Sequence, residues 1–384
     1  MANTLTNLAA DIYKAADVVG RELVGVIPSI TINGDASERA AKGDNIRSHF
    51  TRTPTVNTSY APSMTIPEGT DQTVDNKTLV VDSFASVQIP WTGEDIKHVN
   101  NGSGFETIYG DQIQQAFRAI NNTIESYIWG VGRAGASRAY GTAGTTPFGS
   151  NFNEVAEMRQ ILVDNGSPAD DGMSSLVINT LAGTKLRNLA QLQKANENGS
   201  DRLLRQGTLL DLQGLMLKES AAPVSTTAGT GASYTSNTAG YAVGATSITL
   251  ITGTGTILAG DTVTFAGDTN KYVVATGVTA PGVLVLAEPG LKKALAASAV
   301  ALTVGAAATA NLAFHKSAIE LVVRPVAVPS GGDAATDVMT VQDPYSGLVY
   351  DISMYKGYKK AMIEVSCLYG GKVWKPQHVA QLLG

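Results

Sequence analysis

The chain carries a single cysteine, Cys367. One thiol excludes an intramolecular disulfide framework, and it leaves no cysteine set for a structural zinc site. Its setting, IEVSCLYG, is apolar, which points to a buried small hydrophobe rather than a nucleophile. Charge is scarce too. Only 16% of residues are Asp, Glu, Lys or Arg, against the usual quarter. With 33 acidic and 28 basic residues the formal net charge is -5, and no run of Lys and Arg resembles a nucleic-acid grip. No apolar run reaches the roughly 18 residues of a membrane span. The opening MANTLTNLAADIYKAADVVGREL has neither a basic n-region nor a continuous apolar h-region. The expectation is a chain without a secretory signal, made and folded in a cytoplasm. The N-x-S/T matches at Asn57, Asn76, Asn101 and Asn121 then have no meaning as glycosylation sites.

What is present is enough for a sizeable core. The chain has 384 residues, 43% of them hydrophobic, and its 40 glycines imply many turns. Leu5, Leu8, Ile12, Ala16, Val19 and Leu23 recur at helical spacing, which predicts an amphipathic arm over 4–26 that Pro28 ends. FTRTPTVNTSYAP and KTLVVDSFASVQIPW flank the polar SMTIPEGTDQTVDN and read as a long two-stranded hairpin over 50–92. An isolated hairpin is marginal in water, so one this long should lie on a domain or on a neighbouring subunit. Tyr109, Ile113, Phe117, Ile120, Ile124, Tyr127, Ile128 and Val131 predict a spine helix over 106–131, with Asn121, Asn122 and Thr123 on its polar face. Helices over 153–163 and 181–195, with the strand SSLVINT between them, predict a compact α/β unit. Residues 223–311 are nearly uncharged. TSITLIT, DTVTFAG, KYVVATG, GVLVLAE and AVALTVG are five candidate strands of an all-β insertion. The tail returns to strands broken by Gly and Pro.

No motif carries catalysis. GVGRAG, Gly130–Gly135, matches G-x-G-x-x-G, but a helix precedes it where a dinucleotide site needs a strand. His49, His98, His315 and His378 stand far apart in the chain, and none pairs with another at metal-ligand spacing. Asp170 and Asp171 form a solvent-facing turn without the alternating ligands of a calcium loop. No G-x-S-x-G elbow occurs. The absence of convergent polar groups favours a structural or binding protein over an enzyme, with no cofactor and no metal. Arg39, Lys42, Arg47 and Arg52 make a loose basic segment diluted by Asp and Glu. Two readings of it stay open: a solvated face, or charge pairing between subunits that sets register.

The order of these segments resembles the major capsid proteins of tailed bacteriophages, the Hong Kong 97-type fold. It is most similar to short-tailed-phage coat proteins with an inserted β-domain. SITINGDASERAAKGDNIRSHFTRTPTV resembles the family's arm, and VQIPWTGEDI its return from hairpin to spine. LQGLMLKES and NLAFHKSAIELVVRPVAVP look like the two sides of the insertion, and DPYSGLVYDISMYKGYKKAMIEVSCLYGGKVWKPQHVAQLL the terminal strands.

The resemblance implies an α+β capsid fold with an arm at 1–50 and an extended hairpin, the E-loop, at 51–95. The peripheral domain would take 96–150 and about 325–360. The axial domain would take 151–222, about 312–324 and 361–384, with the inserted β-barrel-like domain at 223–311. It implies a shell-forming protein that closes into pentamers and hexamers and encloses double-stranded DNA in a virion capsid assembled in the host bacterial cytoplasm. Its partners would be further copies of itself, a portal protein at one vertex, DNA held non-specifically, and decoration proteins; no membrane is involved. The spine begins after only the arm and hairpin, so the scaffolding protein would be a separate chain. Candidate inter-subunit contacts are Arg39, Lys42, Arg47 and Arg52, Glu68 and Asp71 in the hairpin, and Asp261, Asp268 and Lys271 in the insertion. The lysine–asparagine cross-link of some family members has no assignable pair here. A secreted adhesin or surface-layer protein with a β binding module is the alternative, and the missing signal peptide and the spine helix weigh against it.

Overall fold

The computed structural model describes residues 6–23, 25–51, 56–58, 60–66, 74–99, 105–168, 171–194, 206–207, 209 and 211–384. Helix α1 (Thr6–Glu22) buries Ile12, Ala16 and Val19 on the face that the spacing predicts. Past it, Pro28 sits inside a 3-10 turn over Ile27–Ser29 rather than in the helix, where it would leave a carbonyl unpaired. Strand β1 (Thr31–Gly34) follows. Strands β2 (Asn45–Thr51) and β3 (Val74–Val80) pair antiparallel from Asn45↔Val80 to Thr51↔Val74.

The expected hairpin is corrected at this point. KTLVVDSFASVQIPW is not one return strand. It divides at Val81 and Asp82, where β3 closes the hairpin and β4 (Ser83–Thr92) enters a different sheet. Val81 is buried, and its backbone is held by Gly43 and Asp44, which pins the crossing.

Helix α2 (Gly93–Val99) precedes α3 (Phe105–Ala134), a 30-residue spine about 45 Å long at 1.5 Å per residue. Ile113, Phe117, Ile120, Ile124 and Ile128 line its buried face. Asn121, expected on the polar face, is buried instead. The Tyr350 hydroxyl donates to its Oδ1 at 2.6 Å, and the Tyr350 ring stands edge-on to Phe117 with centroids 4.7 Å apart. A polar side chain survives there because a core tyrosine needs an acceptor.

Strand β5 (Arg138–Gly141), α4 (Asn153–Asp164) and β6 (Ser174–Asn179) come next. The helix expected over 181–195 is two short ones, α5 (Thr180–Arg187) and α6 (Ala190–Gln193), because Leu189 between them is extended. Asn179 caps α5 by accepting the Ala182 amide. Strands β7 (Met216–Ser220) and β8 (Ser225–Thr226) lead into the insertion.

The insertion holds β9 (Ala232–Ser236), β10 (Ser247–Thr254), β11 (Thr262–Phe265), β12 (Lys271–Thr276), β13 (Val283–Leu286) and β14 (Ala301–Val304). All five expected strands are present, and β9, the Ser-rich ASYTS, is a sixth. Their order is β11-β14-β9-β10-β13-β12, and β12 pairs back onto β11, so the six strands close into a barrel. Tyr234, Ile248, Phe265, Tyr272, Leu284 and Leu302 fill it.

The chain then runs through β15 (Ala308–His315), β16 (Ile319–Arg324), β17 (Ala335–Gln342), β18 (Val349–Gly357), β19 (Lys360–Val373) and β20 (Val379–Leu383). The barrel continues into a second layer, β12-β5-β20-β15-β6-β7, through the β12–β5 pairs Lys271↔Ala139 and Tyr272↔Arg138. The other sheet, β1-β16-β19-β18-β17, packs under the spine helix, with β4 along β19 from Ser83↔Tyr369 to Thr92↔Lys360. Of the segments first assigned to the axial domain, residues 319–324 and 361–373 therefore lie in this spine-helix sheet.

Two glycines of GVGRAG explain that motif. A Cβ on Gly135 would lie 2.5 Å from Val373 Cγ2, and one on Gly132 would lie 2.9 Å from Leu312 Cδ1. They let the helix end press on β19 and β15. Cys367 is buried in β19, and burial pushes its thiol up to about 12, which keeps it unreactive.

Candidate assembly surfaces

The body is fastened at three points around the spine. Glu125 is buried, and its carboxylate accepts the Val26 amide at 2.5 Å, the Ile27 amide at 2.9 Å and the Ser220 hydroxyl at 2.8 Å. One side chain thus joins spine, arm and β7. Arg118 grips Glu22 through two hydrogen bonds of 2.8 and 2.7 Å, and this holds the Glu22 carboxyl below its usual range. Arg133 faces Asp261 at the neck of the barrel, and burial lowers its affinity for its proton.

The uncovered surface lies between β2 and β3. Val56, Tyr60, Met64 and Ile66 are exposed there, Tyr60 at 93%. The stretch 60–66, YAPSMTI, has no charge. Four large apolar side chains on one segment are more than the scattered hydrophobes of an ordinary surface. On the body, a groove of about 490 Å³ runs between β4 and the first half of α3. Val87, Ile89, Pro90, Gln112, Ala116 and Ala119 line it.

Of the six charged candidates among the described residues, four have partners within the chain. Arg39 binds the buried Asp351 and the Val326 carbonyl. Asp261 is 5% exposed and accepts the Gly229 and Leu258 amides, so it closes two turns of the barrel. Asp268 binds Asn270 and the Tyr272 hydroxyl. Lys271 reaches the Gly141 carbonyl and ties barrel to β5. Lys292 and Lys293 likewise reach the Asp164 and Gly267 carbonyls. Lys42 and Arg47 are exposed and meet no partner among the described residues. Arg52, Glu68 and Asp71 lie outside the described residues.

Two groupings escaped the sequence. His315 and His378 come together with ring centroids 6.2 Å apart, and Asp171, read as solvent-facing, hydrogen-bonds His315 Nε2 at 2.6 Å. Among the described residues no three His, Cys, Asp or Glu side chains form a metal site, and no helix is long and apolar enough to cross a membrane.

No protein-family model and no curated protein sequence matches the chain. Solved structures do. The chain is similar to one in the capsid structure of the Cyanophage P-SCSP1u, at 12% identity and a TM-score of 0.51, over 94% of this chain and 88% of that one. It is also similar to a chain of Mycobacterium phage Che8, at 15% identity and a TM-score of 0.47, over 89% and 85%. A third similar chain comes from the asymmetric unit of the bacteriophage PhiM1 mature capsid, at 11% identity and a TM-score of 0.48, over 93% and 85%. The likeness at such identities is one of fold: the chain has the α+β, Hong Kong 97-type fold of tailed-phage capsid proteins.

Proposed function

We propose that this chain is the major capsid protein of a tailed bacteriophage, a structural protein whose copies build the icosahedral shell around packaged double-stranded DNA. The observation that carries the reading is a capsid fold over nearly the whole chain, joined to the exposed apolar side chains of Val56, Tyr60, Met64 and Ile66. That segment would lie on the next copy, with Tyr60 and Met64 entering the groove between β4 and α3. Repeated around a ring, this head-to-tail contact closes pentamers and hexamers. A separate scaffolding protein would set the angle between rings. A portal at one vertex, DNA held without sequence preference, and decoration proteins outside complete the set of partners, with assembly in the host bacterial cytoplasm.

Arg39, Asp261, Asp268 and Lys271 are paired inside the chain, so the pairing across the rim would fall to Lys42 and Arg47, together with Arg52, Glu68 and Asp71. Co-expression with the cognate scaffolding protein should yield closed shells in negative-stain micrographs. A strictly monomeric product under those conditions would overturn the reading. Recovery of the native protein in a cell-surface fraction would favour the adhesin or surface-layer alternative instead.

A further inference from the structure

At one end of the second layer, β15 and the turn before β20 meet the loop that follows α4. The contact is made by two histidines. His315 Nδ1 accepts the Ser317 amide at 3.2 Å and faces the Ser317 hydroxyl at 2.8 Å. Its hydrogen therefore sits on Nε2, which donates to Asp171 Oδ2 at 2.6 Å. His378, 8% exposed, stands edge-on to His315 at 6.2 Å. It donates to the Gly166 carbonyl, while its Nδ1 is buried with no hydrogen-bond partner among the described residues. Asn165 Nδ2 adds a bond to the Gln377 carbonyl at 3.0 Å.

The His378 ring is closed to a second proton. That proton would fall in a buried place without an acceptor. The charges around His378 oppose it further. Lys375 reaches Ser317 Oγ at 3.4 Å, Lys316 follows His315 in the chain, and Arg138 lies behind Asn165. The acids near by are Asp171, held by His315, and Asp164, 3.6 Å from Arg138. We infer that His378, packed edge-on against His315, is the acid-sensitive part of a latch that holds the 375–378 turn and the start of β20 against Asn165 and Gly166 after α4 and opens as the pH falls from about 7.5 to about 5.5. Burial, then Lys375 and His315, hold the His378 ring below its ordinary proton affinity. The opened form takes up its proton near the ordinary value of about 6.5, and the closed form only at lower pH. Opening is therefore favoured as pH falls through about 6.5.

The latch is a property of the subunit and stands apart from its place in a shell. Amide hydrogen exchange on the full-length chain tests it, with rates corrected for intrinsic pH dependence. Peptides over 374–384 should lose about ten-fold in protection between pH 7.5 and 5.5, while peptides over 113–131 in the spine change by less than about two-fold. In His378→Gln the pH effect on 374–384 should fall below about two-fold, since glutamine cannot charge. Lys375→Gln, a surface change that preserves the core, should move the transition to lower pH. Protection at 374–384 that is independent of pH, or a pH effect that persists unchanged in both variants, would overturn the latch.

Discussion

Arg39 and Asp351 meet as a two-point ion pair, with Nη1 2.9 Å from Oδ2 and Nη2 3.3 Å from Oδ1. Thr340 donates to the same carboxylate at 3.1 Å. The arm is thereby anchored on β18. Arg39→Ala leaves a buried carboxylate with one hydroxyl partner, and because the guanidinium is a third exposed the cost should be about 1–3 kcal/mol rather than that of a fully buried pair. Urea unfolding of the unassembled subunit measures it. A change under about 0.5 kcal/mol would mean that the pair only decorates the surface.

The glycines of GVGRAG separate packing from ligand binding. Gly130 has open space where a Cβ would stand, whereas at Gly135 a Cβ runs into Val373. Gly130→Ala should be neutral or stabilise by up to about 1 kcal/mol through helix propensity. Gly135→Ala should destabilise by about 1–3 kcal/mol through overpacking. Thermal melts of the two variants provide the comparison, and equal melting temperatures would contradict the packing account.

Alkaline pH should loosen the barrel and the core under the spine helix. Burial pushes the Tyr272 phenol up to about 12, helped by its hydrogen bond to Asp268, and burial raises Tyr350 as well. In the unfolded chain these phenols ionise near about 10. Above that the unfolded state loses protons that the folded state keeps, so stability is full below pH 10 and declines as pH rises toward 12. Urea midpoints measured across this range should fall, and Tyr272→Phe should make the fall shallower.

Tyr60→Ser combined with Met64→Ser should leave the monomer's melting temperature within about 1 °C, because surface changes away from the core are close to neutral. Shell yield in sedimentation should drop by about ten-fold or more if these side chains anchor the contact between copies. A lowered monomer melting temperature would instead place the segment in the subunit's own core.

Asp261→Ala should destabilise the isolated subunit by about 1–3 kcal/mol, since two turn amides lose their acceptor and Arg133 loses its counter-charge. Its effect on shells would then follow from folding. Lys42→Gln should do the reverse, with no change in subunit stability and a change in assembly rate that high salt erases.

Much of this molecule was legible from spacing alone. The faces of α1 and α3 follow from helical recurrence of Ile, Val and Phe, and the five barrel strands from short runs between turn residues. Period-two alternation could not reveal where KTLVVDSFASVQIPW changes partner, because the pattern runs unbroken through Val81 while the sheet does not. Asn121 looked solvated because its acceptor role depends on Tyr350, far along the chain. The partners of the candidate charges were hidden for the same reason. Arg39, Asp261 and Lys271 have composition that suits a rim, yet their partners come from distant strands. His315 and His378 are joined only by the β15–β20 ladder, which no local signal predicts.

The barrel's closure bears on the order in which the chain can fold. β15 must return to pair with β6, as in Leu312↔Val177 and Phe314↔Ser175. Were residues 227–307 a slack loop, each attempt at that pairing would have to overcome the entropy of a long closure. A closed barrel instead delivers its two ends side by side, where Thr226 pairs with Ala308 and Ser225 with Thr309. Long separation in sequence becomes a short hop in space. A barrel that closes first would act as a clasp on the nascent chain, shortening the loop that the enclosing sheet has to close.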